Sequence, residues 1–333
     1  MSTTLMAAVL ASRSLRPGAW GGRVALLPAV VTRNELLNRS AWMHRGTLRQ
    51  FARSEGWSDP GERAALESIA DDISGGAILD LGVGAGRTVP LLQAISDDYR
   101  AVDFLAPMVE RCAERFPGLD VAVGDARDLT RFASDSLDLV VFSWNGIDAV
   151  AHDDRPQILA EVHRVLAPGG RFQFSTHNLE GPGWREKPWT IRRKDLIHPR
   201  RLAEVATFLP INVRNHRRNR VTGPTGTGWG MANAGAHHFS LVIHYTSLSE
   251  QLQALAEAGF VDTRVWDNES GCRILPGQDT SAAWWFQLVT RKPGDQPSMA
   301  DRADPHHERT AYHGSRSDAL KDQELHRPGR SKP

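Results

Sequence analysis

Three glycines set two residues apart, Gly82, Gly84 and Gly86, follow the apolar run Ile78–Leu81 and lead into Arg87 and Thr88. Glycine turns tightly, takes positive φ at little cost and carries no Cβ, so a ligand can approach the backbone closely at such a loop. A buried strand passing through this turn into a helix is a nucleotide-binding corner. The spacing is G-x-G-x-G. A dinucleotide fingerprint needs its third glycine one place later, where this chain has Arg87, so a pyrophosphate site and an NAD-dependent oxidoreductase are disfavoured.

Further segments repeat the logic of strand, turn and polar residue. Tyr99-Arg100-Ala101-Val102-Asp103 is a short strand ending in an acid, Val121–Val123 leads into Gly124-Asp125-Ala126, and Leu137–Phe142 leads into Ser143-Trp144-Asn145-Gly146. In this order the segments resemble the class I S-adenosylmethionine-dependent methyltransferases, and Arg164–Phe172 resembles that family's passage from helix to fifth strand. The resemblance implies S-adenosylmethionine as cofactor, cradled by Asp80 and the three glycines. It implies Asp103 for the ribose hydroxyls, Phe104 and Met108 around the adenine, and Asp125 with Ala126 reading the adenine amino group. Ser143 and Asn145 would face the cofactor and acceptor.

Methyl transfer from a sulfonium needs close, oriented reactants more than a catalytic triad, and a base only if the nucleophile is protonated. Imidazole is the natural base near neutral pH. Of thirteen histidines, His177 ranks first because Ser175-Thr176-His177-Asn178 ends the fifth strand at the cofactor edge. His244 and Tyr245 come next, expected just after a strand Phe239–Ile243, and His152 third. Each could equally be a hydrogen-bonded wall residue. The run Ser143-Trp144-Asn145-Gly146 lacks the Asp/Asn-Pro-Pro-Tyr of members that methylate amides or nucleobase amines, and no acidic run provides a metal site. What remains is an O or N nucleophile of a small molecule, with C-methylation left open.

The elements that must position these residues alternate between strands and amphipathic helices. Ile158, Leu159, Val162, Val165 and Leu166 share a helical face, and Gln251–Phe260 reads as another helix before the strand Val261–Trp266. Alternation of this kind predicts an α/β fold with a doubly wound sheet. By resemblance it is a Rossmann-like sheet of seven strands, mostly parallel with one antiparallel strand, the last, at Ala282–Thr290. The methyltransferase domain is expected over 62–180 and 239–292, behind a helical cap at 34–61. Residues 181–238 form an insertion too long for a simple connection and read as an acceptor-site lid.

That insertion carries Arg185, Lys187, Arg192, Arg193, Lys194, Arg200 and Arg201, a helix expected at Pro199–Phe208, and then Arg214, Arg217, Arg218 and Arg220. The two clusters would suit an anionic acceptor; paired with local acids they would be a solvated face. Gly223–Gly230 reads as a hinge. Aromatic residues for stacking bases are few, which disfavours nucleic acid as a partner and leaves an RNA methyltransferase as a lesser alternative. A non-catalytic protein binding S-adenosylmethionine or its product is the other.

The 333 residues, 41% hydrophobic with a formal net charge of +1, suit an enzyme with no global attraction to polyanions. Apolar runs are too short to span a membrane. Two cysteines out of zinc or CxxC spacing make a reducing cytoplasm the default. Residues 1–33 are expected to be disordered or targeting-like, and 293–333 a disordered tail. Composition does not fix an oligomeric state.

Overall fold

The computed structural model describes residues 32–43, 55–184, 186–190, 199–219, 221 and 226–294. Expectations for residues 1–31, for the tail beyond 294 and for residues 44–54 lie outside these. Val140, Val141 and their neighbours are apolar and buried on both sides, as parallel strands covered by helices must be. Strand β1 (Ile78–Leu81) runs parallel to β2 (Tyr99–Asp103) and β4 (Leu137–Phe142). β3 (Asp120–Val123) lies beside β2, and β5 (Leu166–Asn178) beside β4. β10 (Trp285–Arg291) enters antiparallel between β5 and β8 (Val261–Asp267).

The path β3-β2-β1-β4-β5-β10-β8 is mostly parallel with β10 antiparallel, as expected, but the sheet exceeds the seven strands foreseen. It is extended at the far edge by β9 (Arg273–Ile274) and by a hairpin of β6 (Trp229–Ala234) and β7 (Leu241–Thr246), giving ten strands in all. β7 joins β5 at His177 and Asn178, past the end of β4, whose last pair is Phe142 with Phe174. The sheet therefore forks where β4 stops. That fork is the mouth of the site.

Alternation along the strands sends Leu79, Leu81 and Val140 to one core and Ile78, Leu139 and Val141 to the other. Ile158, Leu159 and Val162 of α6 (Arg155–Val165) and Leu255 of α8 (Leu248–Glu257) cover the first. The second is covered from α2 (Pro60–Glu67), α3 (Ala70–Ile73), α4 (Val89–Gln93) and α5 (Ala106–Arg115). Each fully buried Leu or Ile contributes about 1.5–3 kcal/mol, so this two-sided burial is what fixes the strand ends that carry the polar residues.

Three expectations are corrected. The helix foreseen at Pro199–Phe208 is α7 (Pro199–Arg218), running through Pro210. Proline costs a helix one hydrogen bond and some crowding, and α7 continues past it. The strand foreseen at Phe239–Ile243 is β7, so His244 and Tyr245 lie inside a strand and not after one. Trp229 and Gly230 of the supposed hinge open β6, while residues 222–225 lie outside the described chain.

Candidate active site

Strand order reverses between β1 and β4, and their carboxyl ends open a cavity of about 410 Å³. Gly84 lines it with φ +57°, and no atom lies within 4 Å of where its Cβ would stand. The loop thus leaves ligand-sized room against bare backbone. Gly86 has another duty: at φ +89° its Cβ would meet the Phe116 ring at 2.4 Å, so it is packed behind the loop. Asp80 also sits behind, accepting from Thr88 Oγ1 and, at 2.8 Å, from Tyr99 OH. Its burial raises its pKa to about 6. Neither Gly86 nor Asp80 forms cavity wall, whereas Gly82 does.

Asp103 ends β2 on the wall of the cavity. Its oxygens accept from Gly84 N at 2.9 Å and Leu105 N at 2.8 Å, each keeping a lone pair for a diol. Burial raises this carboxyl to about 6 against the opposing effect of those two bonds. Phe104 and Met108 continue the wall, with Trp42 edge-on to Phe104 at 5.7 Å and Arg39 4.9 Å from the same ring's centre. Asp125 and Ala126 line the same end. Glycine room, a diol-facing carboxylate and an aromatic shelf fit an adenosyl cofactor.

Arg127, absent from the sequence reading, grips Asp125 with Nε at 3.0 Å and Nη2 at 2.8 Å. It also pairs with Glu35 and Asp154 at 2.8 Å each, tying Asp125 to α1 (Arg33–Trp42). Asn38 fastens the same helix to β7, donating to Val242 O at 2.8 Å and accepting from Val242 N at 2.9 Å. Arg87 forks onto Glu62 with two 2.8 Å bonds, meets Ser143 Oγ and Trp57 O, and lies 4.7 Å from the Trp144 ring centre. The residue that spoils the dinucleotide pattern therefore locks the glycine loop to α2 and to the turn after β4. Ser143, on the wall, is held by that lock.

On the opposite side His177 reaches the wall from the end of β5. Its Nδ1 lies 2.8 Å from Asp148 Oδ2, which also accepts from His177 N at 2.7 Å. Asp148 is fully buried, and its Oδ1 accepts from Thr176 Oγ1 at 2.6 Å and Arg155 Nη1 at 2.8 Å. A carboxylate so held fixes the proton on Nδ1 and leaves Nε2 as the accepting nitrogen. Asn145 Nδ2 stands 3.5 Å from Nε2. Trp57, Trp144, Trp285, Leu241 and Ile243 make the remaining surface here aromatic and apolar.

His244 and Tyr245 are not wall residues. His244 Nε2 meets His152 Nδ1 at 3.0 Å in a stack with Trp229, and burial holds its pKa far below the usual range. Tyr245 OH donates to Gly183 O at 3.3 Å, and burial pushes its pKa well up. Its ring backs His177 at 5.2 Å between centres. Their place within a strand, with β7 closing over the site, explains both departures. Of the basic clusters, Lys187 and Arg217 line a second cavity of about 560 Å³, while Arg185, Arg192, Arg193, Lys194 and Arg220 lie outside the described residues.

Between β6 and β7 the backbone makes a left-handed turn, with φ +48° at His237, +57° at His238 and +58° at Phe239. Such angles cost a residue bearing Cβ roughly 1–2 kcal/mol each. Asparagine side chains hold it. Asn215 of α7 and Asn219 just past its end donate to His238 O at 2.9 Å and Phe239 O at 3.2 Å, and Asn233 donates to Phe239 O at 2.7 Å and Leu241 O at 2.9 Å. Asn212 Oδ1 lies 3.1 Å from His238 Nδ1. The turn places His237 on the cavity wall.

Residues 78–170 match the methyltransferase domain family. A probable phthiotriol/phenolphthiotriol dimycocerosates methyltransferase 2 of Mycobacterium ulcerans is 30% identical over 177 residues, 47% of this chain and 67% of its own. A ubiquinone/menaquinone biosynthesis C-methyltransferase of Rubrivivax gelatinosus is 28% identical over 69% of this chain and 87% of its own. Among solved structures, 1,6-didemethyltoxoflavin-N1-methyltransferase of Burkholderia thailandensis, with 1,6-didemethyltoxoflavin and S-adenosylhomocysteine bound, aligns with a TM-score of 0.47. Its identity is 15%, over 80% of this chain and 93% of that one.

Proposed function

This chain belongs to the class I S-adenosylmethionine-dependent methyltransferases, and we propose that it methylates a phenolic hydroxyl on a small, largely apolar acceptor with His177 as general base. The observation that carries this reading is the Asp148–His177 pair at the cavity wall. A phenol with a pKa of about 10 keeps its proton at neutral pH and is a poor nucleophile until a base removes it. The bound cofactor supplies an electrophilic methyl group on a sulfonium.

In this reading Asp103, Asp125 and Phe104 hold the adenosyl portion, while the three tryptophans Trp57, Trp144 and Trp285 receive the acceptor ring. His177 Nε2 takes the hydroxyl proton. Asp148, itself held by Thr176 and Arg155, steadies the imidazolium that results. Enclosure and alignment can lower the barrier by about 7–11 kcal/mol, and a positioned base adds roughly 10²–10⁴ in rate. Of the two relatives, the first is named for both phthiotriol and phenolphthiotriol acceptors, and the name of the second, a ubiquinone/menaquinone biosynthesis C-methyltransferase, supports a hydroxylated ring. The second favours a related outcome, attack by the ring carbon beside the deprotonated hydroxyl.

The test is incubation with methyl-labelled S-adenosylmethionine and 1- or 2-naphthol. A labelled ether, or a labelled C-methyl naphthol distinguished by NMR, is expected. Cofactor binding with no label in either naphthol would overturn the phenolic reading.

A further inference from the structure

We infer that Asn145 is a specificity-determining residue that selects an oxygen nucleophile over a nitrogen one, by donating from Nδ2 to the same acceptor atom whose proton passes to His177 Nε2. The inference rests on the phenolic reading above. Asp148 keeps the proton of His177 on Nδ1, so Nε2 presents a lone pair. An amide oxygen turned toward that pair would be repelled, and the group 3.5 Å from Nε2 is Nδ2, a donor. That contact is longer than the roughly 2.7–3.2 Å of an ordinary N–H bond. Both side chains line the cavity, where an acceptor oxygen can lie about 2.9 Å from both nitrogens at once.

The backbone delivers Asn145 to this place. Just past β4, Trp144 and Asn145 take φ +50° and +58°, a left-handed pair that persists only where its surroundings impose it. Asn145 N donates to Ser175 Oγ at 2.7 Å, and Asn145 O accepts from Asp148 N at 3.0 Å. Asp148 thus fastens both the base and its neighbour. The amide of Asn145 is no strut, for its Oδ1 is buried with no hydrogen-bond partner among the described residues. Asn38, Asn178 and Asn233, which do fasten the fold, use both ends of theirs. Of the other polar wall residues, Ser143 is taken up by Glu62 and Arg87, and His237 is engaged by its own surroundings.

Lone pairs decide the selection. As the O–H bond of a phenol breaks and its proton passes to Nε2, one oxygen pair forms the bond to the methyl carbon while the carbon–sulfur pair stays on sulfur. Two pairs remain, one to accept from Asn145 Nδ2 and one from the imidazolium. An arylamine nitrogen has a single pair, which the reaction needs, so a donor aimed at it competes with attack. The amine can bind, but the contact that steadies an oxygen in the transition state hinders a nitrogen there. Attack by the ring carbon keeps the same oxygen between the two nitrogens.

The experiment measures label transfer from S-adenosylmethionine to each naphthol and to the naphthylamine of matching position, with calorimetric binding of both to the protein saturated with S-adenosylhomocysteine. The amine should bind within about tenfold of the naphthol and show a kcat at least about a hundredfold lower. Asn145→Gly, which accepts the left-handed backbone, should shrink the naphthol-to-amine ratio of kcat by about tenfold or more. Asn145→Asp, which tolerates the same φ but accepts where the amide donates, should shrink it further. Both rates are read on one preparation, so any loss of folded protein cancels from the ratio. Wild type methylating the amine as fast as the naphthol, selection residing in affinity alone, or a ratio unmoved by Asn145→Gly would overturn the inference alone. No label in any naphthol would overturn the phenolic reading and the inference with it.

Discussion

At the scale of single residues the chemistry rests on how Asp148 holds His177. Asn at position 148 would present an amide able to favour the wrong imidazole tautomer, as in other carboxylate–histidine systems. Asp148→Asn should therefore lower kcat by roughly 10²–10⁴. Its KM for S-adenosylmethionine should hold within about threefold, because uniform binding is untouched. A kcat within a few-fold of wild type, measured by label transfer, would make Asp148 a packing residue. His177 was legible in the sequence because it ends a strand at a predictable edge. The part played by Asp148 was not, because its partner is 29 residues away and only the parallel alignment of β4 and β5 brings them together. Arg127 and Arg87 were hidden for the same reason: their partners Glu35 and Glu62 lie on helices distant in sequence.

At the scale of elements, α1 closes one side of the cavity and is fastened by Asn38 more than by apolar burial. Asn38→Ala leaves Val242 N and O unpaired in a buried place, a loss of about 1–3 kcal/mol. A lowered Tm and weaker S-adenosylhomocysteine binding are expected, since Trp42 on the same helix packs against Phe104; an unchanged Tm would refute the fastening. The region after β5 was read from charge as an acceptor-site lid. Arg217 lies on the second cavity and α7 turns asparagines toward the turn that carries His237. Neutralising Arg217 and Arg218 together should leave acceptor KM within about twofold, and a strong rise would restore the anionic acceptor. Apolar periodicity gave the covered helices and parallel strands well, because burial on two faces leaves a plain mark. It failed from Phe239 to Ile243, where apolar residues follow a left-handed turn whose strain is relieved by side chains from elsewhere.

At the scale of the whole molecule, the crevice exists because the sheet reverses its order and then forks, and both features are maintained by the two cores. Burial of carboxyls at this edge has a consequence for pH. Asp59 is raised to about 7 by burial and by Glu62, and Asp80 and Asp103 are raised to about 6. A carboxyl raised above its unfolded value lends stability that is complete below about pH 4 and lost as pH rises through the folded value. These three groups should make the Tm of the free protein decline between about pH 4 and 7. Asp59→Asn should flatten the upper part of that decline; a slope unchanged by the substitution would contradict the assignment. The most direct test of the central claim is single-turnover transfer of labelled methyl from saturating S-adenosylmethionine to naphthol, comparing wild type with His177→Ala. The account predicts transfer slowed by more than about a hundredfold with S-adenosylhomocysteine affinity unchanged. Transfer within a few-fold of wild type would contradict it.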